Sequence, residues 1–164
     1  MRNFRLIFAF VLMSGMQPAA DAETVPAQMN VTATVVANCR LTVPPLNFGA
    51  YDPLGTHSVQ PDDSSVVLTV TCTRNTAASV SFDDGMNSIS GGRALAGPSA
   101  SRLEYQIFRD PARTQTWSTG TDAMRFLSSG ISNPEQLIVF GRILPKQEVE
   151  PGAYIDVLTA TVDF

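Results

Sequence analysis

Hydrophobic and polar residues alternate along several short stretches of the chain, a period of two that is typical of β-strands with one buried face. Alternating or β-branched runs predict strands over residues 29–35, 66–72, 78–82 and 136–141, a strand carrying Leu103, Tyr105 and Ile107, and a last strand over 154–164. Breaks containing Gly or Pro, such as Pro44-Pro45 and Pro151-Gly152, separate these runs. Many short strands with such turns predict an all-β sandwich.

The last predicted strand has two distinct faces. One face carries Tyr154, Asp156, Leu158, Ala160, Val162 and Phe164, and the other carries Ile155, Val157, Thr159, Thr161 and Asp163. No sequence follows Phe164. We therefore expect that no later strand closes the sandwich beside this one.

The first residues have the order of a secretory signal peptide. Arg2 and Arg5 precede an apolar run over residues 6–13, and Ala20-Asp21-Ala22 is a small-x-small cleavage signal. A membrane anchor is the alternative, but the run is far shorter than the roughly 20 residues that span a bilayer. We predict a signal peptide over residues 1–22 and export of the rest.

Composition narrows the possible functions. The 164 residues are 44% hydrophobic and 16% charged, with a net charge of −4, one His and two Cys. The low charge argues against disorder, and the negative balance argues against a nucleic-acid partner. The His and Cys counts exclude a His/Cys zinc cluster, and no cofactor motif is present. In an exported protein Cys39 and Cys72 favour a disulfide, with a reactive free thiol as the alternative.

Candidate catalytic and metal-binding residues have simpler interpretations. His57 lies in a loop composition without a nucleophile signature, which favours a solvated loop histidine. Asp62-Asp63 and Asp83-Asp84 lack the calcium-loop pattern and are interpreted as turn residues. Trp117 is interpreted as a core residue rather than a sugar-stacking platform. The sequence therefore predicts no catalytic or metal site.

The segment before Cys39 has two possible interpretations. Residues 23–37 alternate, with Met29, Val31, Ala33 and Val35 on the apolar face. The segment could be the first strand of its own sandwich, which the pattern alone favours. Alternatively, fifteen extended residues reach about 50 Å, enough to leave the domain and lie along a neighbour.

The chain resembles the spore coat protein U domain family, which includes subunits of archaic chaperone-usher pili. The resemblance lies in Asn38-Cys39-Arg40-Leu41, Leu46-Asn47-Phe48-Gly49-Ala50-Tyr51, Val70-Thr71-Cys72-Thr73, the segment 103–110 followed by Trp117, and the C-terminal segments 140–147, 152–156 and 161–164. One departure is Leu144, which precedes Pro145 where the family places proline directly. The ordered set covers nearly all of the chain after the signal peptide.

The resemblance implies an immunoglobulin-like β-sandwich that lacks its last strand, an incomplete pilin fold with an N-terminal donor strand. A periplasmic pilus chaperone, and then a neighbouring pilus subunit delivered at an outer-membrane usher, would supply the missing strand by β-augmentation. Residues 23–37 would be the donor segment, inserting Met29, Val31, Ala33 and Val35, and residues 38–164 the sandwich. Tyr154, Leu158, Val162 and Phe164 would wall the acceptor groove.

These roles predict a structural, non-enzymatic pilus subunit that serves surface adhesion or biofilm formation. Three alternatives remain at the level of the sequence. The first is a self-complete secreted or spore-coat sandwich that does not polymerise, the second a sugar-binding adhesin and the third an extracellular enzyme.

Overall fold

The regular structure of the chain is almost entirely β. The computed structural model describes residues 22–90 and 92–164. Across these residues it contains eight strands: β1 (Cys39–Thr42), β2 (Asp62–Cys72), β3 (Ala77–Phe82), β4 (Arg93–Ala96), β5 (Arg102–Phe108), β6 (Met124–Leu127), β7 (Glu135–Ile143) and β8 (Ala160–Asp163). Short 3₁₀ turns occupy Thr56–Ser58, Pro98–Ala100 and Gly120–Asp122. In this part of the chain no helix is long and apolar enough to span a membrane.

The chain divides into two compact units, residues up to Thr34 and Val35–Phe164. In the first unit, residues 22–34 are exposed and adopt neither helix nor strand. The prediction of a strand over 29–35 is wrong, because none of these residues forms a strand or bridge with any residue in the described ranges. The predicted signal peptide, residues 1–22, lies outside the described residues except for Ala22.

The strands of the second unit form two antiparallel sheets. The larger sheet has the order β1-β2-β7-β5-β4, and the smaller has the order β6-β3-β8. Strands β2 and β7 share the longest register, from Asp62 opposite Ile143 to Val70 opposite Glu135. Each strand turns one face inward, as expected for antiparallel sheets with a single core. The predicted immunoglobulin-like sandwich is confirmed.

The core lies between the sheets and follows the predicted alternation. Its fully or almost fully buried members include Leu68, Val70 and Cys72 of β2, Val80 and Phe82 of β3, Leu103, Tyr105 and Ile107 of β5, and Val139 and Ile143 of β7. Trp117 is completely buried, and its indole N–H donates to the Val80 carbonyl over 2.8 Å. Its ring meets Phe82 edge to face at 5.2 Å. Trp117 is a core residue, as predicted.

A disulfide joins Cys39 and Cys72. The two residues lie opposite each other in the β1–β2 register, and they are separated by 33 positions in sequence. The predicted disulfide is confirmed. A bridge closing a loop of this length contributes about 3–4 kcal/mol in the chain-entropy model.

The prediction of one strand over residues 154–164 is wrong in extent. Only β8 (Ala160–Asp163) forms a ladder with β3, because β3 ends at Phe82. The preceding residues are held instead by the loop that follows β3 and by the bridge between Ile155 and Ala96. The predicted faces are correct up to Val162, because Tyr154, Asp156, Leu158, Ala160 and Val162 are partly buried while Ile155 and Val157 are exposed.

Candidate functional site

In the part of the chain that the structure describes, one end strand of the smaller sheet has no partner along its outer edge. This edge belongs to β8, which pairs with β3 on its other side. The Thr159 N–H donates to the Asp83 carboxylate over 2.8 Å, and its carbonyl accepts from the Asp83 N–H over 3.1 Å. Successive residues of an extended strand direct their backbone groups to opposite edges. The N–H and C=O groups of Leu158, Ala160 and Val162 therefore point to the free edge.

Leu158 illustrates this free edge directly. Its N–H and C=O make no backbone–backbone hydrogen bond to any residue in the described ranges. An unpaired edge of this kind is a template for the addition of another strand. The chemistry available here is therefore main-chain hydrogen bonding to an extended peptide.

Apolar side chains at the margin of the core are only partly buried. They include Leu41, Leu46 and Phe48 on β1 and the segment after it, and Leu158, Ala160 and Val162 of the C-terminal segment. The Phe48 ring lies 6.1 Å from that of Tyr105. Core positions on β5, by contrast, are almost completely buried. Leu158, Ala160 and Val162 therefore leave apolar surface beside the free edge that a further strand could cover.

Gly141 makes room for Leu46 and Phe48. A Cβ atom at position 141 would lie 2.7 Å from both Leu46 and Phe48, closer than side chains tolerate. The absence of a side chain therefore lets residues 46–48 pack over β7. The Ser64 hydroxyl also donates to the Asn47 carbonyl, which holds the same segment against β2.

The residues predicted for the acceptor groove occupy two places. Tyr154, Leu158 and Val162 share the inward face of the C-terminal segment and pack against the core. Phe164 is 57% exposed and lines an open cavity of about 380 Å³ together with Val35 and Val36. The structure thus brings the predicted donor residue Val35 and the predicted groove residue Phe164 to one cavity of the second unit.

The other predicted donor side chains belong to the first unit. Met29 is 84% and Val31 82% exposed, and Ala33 is exposed as well. Their large solvent-accessible apolar surface is available for burial against another surface.

A partly buried polar cluster surrounds Asp156 of the C-terminal segment. Asp156 accepts a 2.7 Å hydrogen bond from the Tyr105 hydroxyl and two from Asn87, one from its backbone N–H (3.0 Å) and one from its side-chain amide (3.1 Å). Burial and the neighbouring Asp156 carboxylate raise the pKa of Tyr105 well above its ordinary value of 10.0, so this hydroxyl remains a donor.

Arg93 completes this polar cluster. It is 6% exposed, and burial lowers its pKa. Its guanidinium donates to the carbonyls of Asp83 and Trp117. Sequence reasoning did not identify the polar cluster or residues 41–48 as part of a site. The sequence feature that could have indicated the polar cluster is Asp156, a charged residue on an otherwise mainly apolar inward face.

The structure corrects the interpretation of His57 as a solvated loop residue. His57 is partly buried, its ring stacks on Tyr51 at 5.0 Å, and its Nδ1 accepts a hydrogen bond from the Asp52 N–H over 2.8 Å. The loop therefore uses this side chain as a local packing and hydrogen-bonding group.

The two aspartate pairs differ from each other. Asp83 is a turn residue as predicted, because its carboxylate accepts from the Gly85 N–H over 3.0 Å. The turn interpretation is wrong for Asp62 and Asp63, which begin β2. Burial raises the pKa of Asp62, whereas hydrogen bonds from Arg142 lower the pKa of Asp63. Across residues 22–90 and 92–164, no group of three or more His, Cys, Asp or Glu could hold a metal ion.

The fold and this edge define a class, an immunoglobulin-like sandwich with an unpaired strand edge. A sequence profile of the Spore Coat Protein U domain matches residues 25–161. The chain is also 31% identical over 159 residues to Protein U of Myxococcus xanthus, covering 88% of both chains. The chain belongs to the Spore Coat Protein U domain family, which confirms the resemblance seen in its sequence.

A solved structure shares the fold. It is a chain of the CsuC-CsuE chaperone–tip adhesion subunit pre-assembly complex from the archaic chaperone-usher Csu pili of Acinetobacter baumannii. The TM-score is 0.57 at 24% sequence identity. The match covers 80% of the present chain and 41% of that chain, so the present chain spans less than half of its length.

Proposed function

We propose that the chain is a structural subunit of an extracellular pilus, assembled by the chaperone-usher route through donor-strand complementation. The observation that carries the proposal is the free edge of β8, with the backbone groups of Leu158, Ala160 and Val162 directed away from β3. The family and a fold shared with a chain from a chaperone-usher pilus complex support the same conclusion.

The donor is the leader of a neighbouring subunit, residues 23–37. Its backbone pairs with the free edge, while Met29, Val31, Ala33 and Val35 enter the groove beside Tyr154, Leu158, Val162 and Phe164. Alternate side chains of an added strand point to the same side, so these four residues can all enter pockets. Burying the three larger ones, each more than 80% exposed in the free chain, contributes about 1.5–3 kcal/mol apiece.

The same edge pairs with two strands in succession, and a third partner promotes the exchange. A periplasmic pilus chaperone first supplies a strand, and an outer-membrane usher then promotes its replacement by the leader of a neighbouring subunit. Because donor and acceptor surfaces are different, the contact is head to tail and propagates as an open filament. The fibre then serves surface adhesion or biofilm formation.

This route requires export and a leader that remains free of its own domain. We propose that residues 1–22 are removed as a signal peptide and that residues 23–37 act as the donor segment of a sandwich formed by residues 38–164. The disulfide supports this division, because it fixes β1 to β2 immediately after the leader.

The alternative is a self-complete secreted or spore-coat protein that does not polymerise. The family's association with a spore coat favours this alternative. In such a protein the leader would pair with the β8 edge of its own chain. A stable monomer purified without a chaperone would support it.

Deletion of the leader tests the proposal. A chain lacking residues 23–36 is expected to bind a periplasmic pilus chaperone, because its acceptor edge is intact. This variant should not add to a fibre, because it has no strand to donate to the next subunit. Fibres of normal length from this variant would contradict the donor role, and loss of chaperone binding by this variant would contradict the acceptor role of the sandwich.

A further inference from the structure

The C-terminal segment is held by three kinds of contact along its length: a ladder to β3, bonds to the loop 83–87, and a bridge to Ala96. Residues of β8 use a regular ladder to β3. The residues before β8 are held by the loop 83–87, in which the Met86 N–H donates to the Val157 carbonyl over 3.1 Å. The Asn87 side chain donates to the Ile155 carbonyl over 3.2 Å. Backbone and side-chain groups of the loop thus replace the ladder where the segment leaves β3, and Ile155 pairs with the backbone of Ala96 at the start of the segment.

Asp156 is the centre of the contacts between the C-terminal segment and the loop 83–87. Its three hydrogen bonds connect the C-terminal segment both to Asn87 of the loop and to Tyr105 of the larger sheet. Gly85 adopts a φ of +85°, and a Cβ atom there would collide with the Asp156 carboxylate. The loop is therefore shaped around this carboxylate, and the position of Asp156 is fixed from two sides.

The loop itself is anchored from below by a buried cation. Arg93 donates to the Asp83 carbonyl through Nε at 2.9 Å and through Nη2 at 2.6 Å. Asp83 in turn pairs with Thr159 through its backbone N–H and its carboxylate. The bonds to Asp156 and Thr159 therefore bracket Leu158, the first residue of the free edge.

An edge that is already extended accepts a strand more readily than one that must first be ordered. Ordering backbone residues during binding opposes association, and preorganisation removes this cost. Asp156 fixes the segment two residues before Leu158 and thereby keeps the backbone groups of Leu158 facing outward. The side chain makes this contribution without occupying the edge, because its oxygens bond to Tyr105 and Asn87.

We propose that Asp156 is a positioning residue for strand addition, which holds residues 155–159 in the extended register before a donor arrives. This inference rests on the proposed function and adds to it the group that prepares the acceptor edge. Asn87 and Tyr105 act through Asp156.

The test measures uptake of a dye-labelled peptide of residues 23–37 by the exported chain, followed by fluorescence anisotropy over time. The variants are Asp156→Ala, Asp156→Asn and Tyr105→Phe. Charged hydrogen bonds of this kind correspond to tenfold or larger effects, so we expect Asp156→Ala to slow uptake by about 10- to 100-fold. Asp156→Asn retains an acceptor for Asn87, so its rate of uptake should lie between the rates of Asp156→Ala and the unaltered chain.

Two controls separate positioning from general stability. Asp84→Ala removes an exposed carboxylate from the same loop, and it should leave uptake unchanged. Ile107→Val removes one methyl group from the core at a site within β5, and it should lower the melting temperature without slowing uptake. All rates are measured well below the melting temperature of each variant, so that only folded protein is compared.

The outcomes distinguish the inference from the proposed function. Slow uptake by Asp156→Ala with normal uptake by both controls supports the positioning role. If Asp156→Ala takes up peptide at the unaltered rate, the positioning role is overturned and the proposed function stands. If the unaltered chain takes up no peptide, donor-strand complementation is contradicted and the positioning role is overturned with it.

Discussion

Val31 offers the sharpest mutational test of the donor segment. Its side chain is 82% exposed in the leader, and it lies in the middle of the apolar face between Met29 and Ala33. Val31→Ala removes two carbon atoms, which corresponds to about 1.6 kcal/mol at roughly 0.8 kcal/mol per buried CH₂ group. If this surface is buried in a fibre joint, the joint should weaken by about 15-fold.

Val31→Asp should have a much larger effect. An ionised carboxylate in an apolar groove without a partner costs several kcal/mol, so this variant should not form fibres. Thr32 provides the matched control, because it is the next residue and points to the opposite face of an extended strand. Thr32→Asp should therefore assemble at close to the normal yield.

The assay separates joint strength from folding. Fibres are sheared from the cell surface and incubated in increasing concentrations of guanidinium chloride, and the released subunits are quantified by gel filtration. The melting temperature of each monomer is measured in parallel and should not change, because Val31 is exposed in the free chain. Equal fibre yields for Val31→Asp and Thr32→Asp would refute the assignment of the donor face.

Three further predictions concern the sandwich itself. Replacing Cys39 and Cys72 by Ser should lower the free energy of unfolding by about 3–4 kcal/mol, measured by urea titration; an unchanged value would show that the loop constraint is unimportant. Gly141→Ala should destabilise the sandwich by about 1–3 kcal/mol, because the new Cβ would meet Leu46 and Phe48. Gly92→Ala is the control, because a Cβ there meets no atom within 4 Å. Equal melting temperatures for the two variants would contradict this packing. Asp63 has a lowered pKa through Arg142, so its stabilisation is present above the unfolded pKa of 3.8 and is lost as the pH falls through the lower folded value. Asp63→Asn should thus cost less than about 1 kcal/mol at pH 7, and the difference should disappear toward pH 2, as followed by urea unfolding at each pH; a difference independent of pH would refute the ion pair.

The long alternating strands could be predicted from sequence because their pattern directly reflects their burial. Strands β2, β3, β5 and β7 lie where Val70, Val80, Ile107 and Val139 occupy inward positions. The disulfide could be predicted from the signal-peptide pattern, which implies export, together with a total of two cysteines. In these elements the local pattern and the tertiary environment agree.

Other elements depend on partners that are distant in sequence. Strands β1, β4 and β6 have four residues each, too few for a period of two to be distinguished from chance. The segment 155–159 alternates like a strand, but β3 ends too early to pair with it. Hydrogen bonds from Tyr105 and Asn87 to Asp156 help to hold this segment instead. His57 was interpreted as solvated because its stacking partner Tyr51 is brought to it only by the fold of the loop.

The free edge of β8 is tested most directly by amide hydrogen exchange. The rates are compared between the monomer and the assembled fibre, by quenched exchange and NMR. Donor-strand complementation predicts that the amides of Leu158, Ala160 and Val162 become strongly protected in the fibre, while Thr159 and Thr161, which face β3, change little. Unchanged exchange at Leu158, Ala160 and Val162 in fibres would contradict strand addition at this edge.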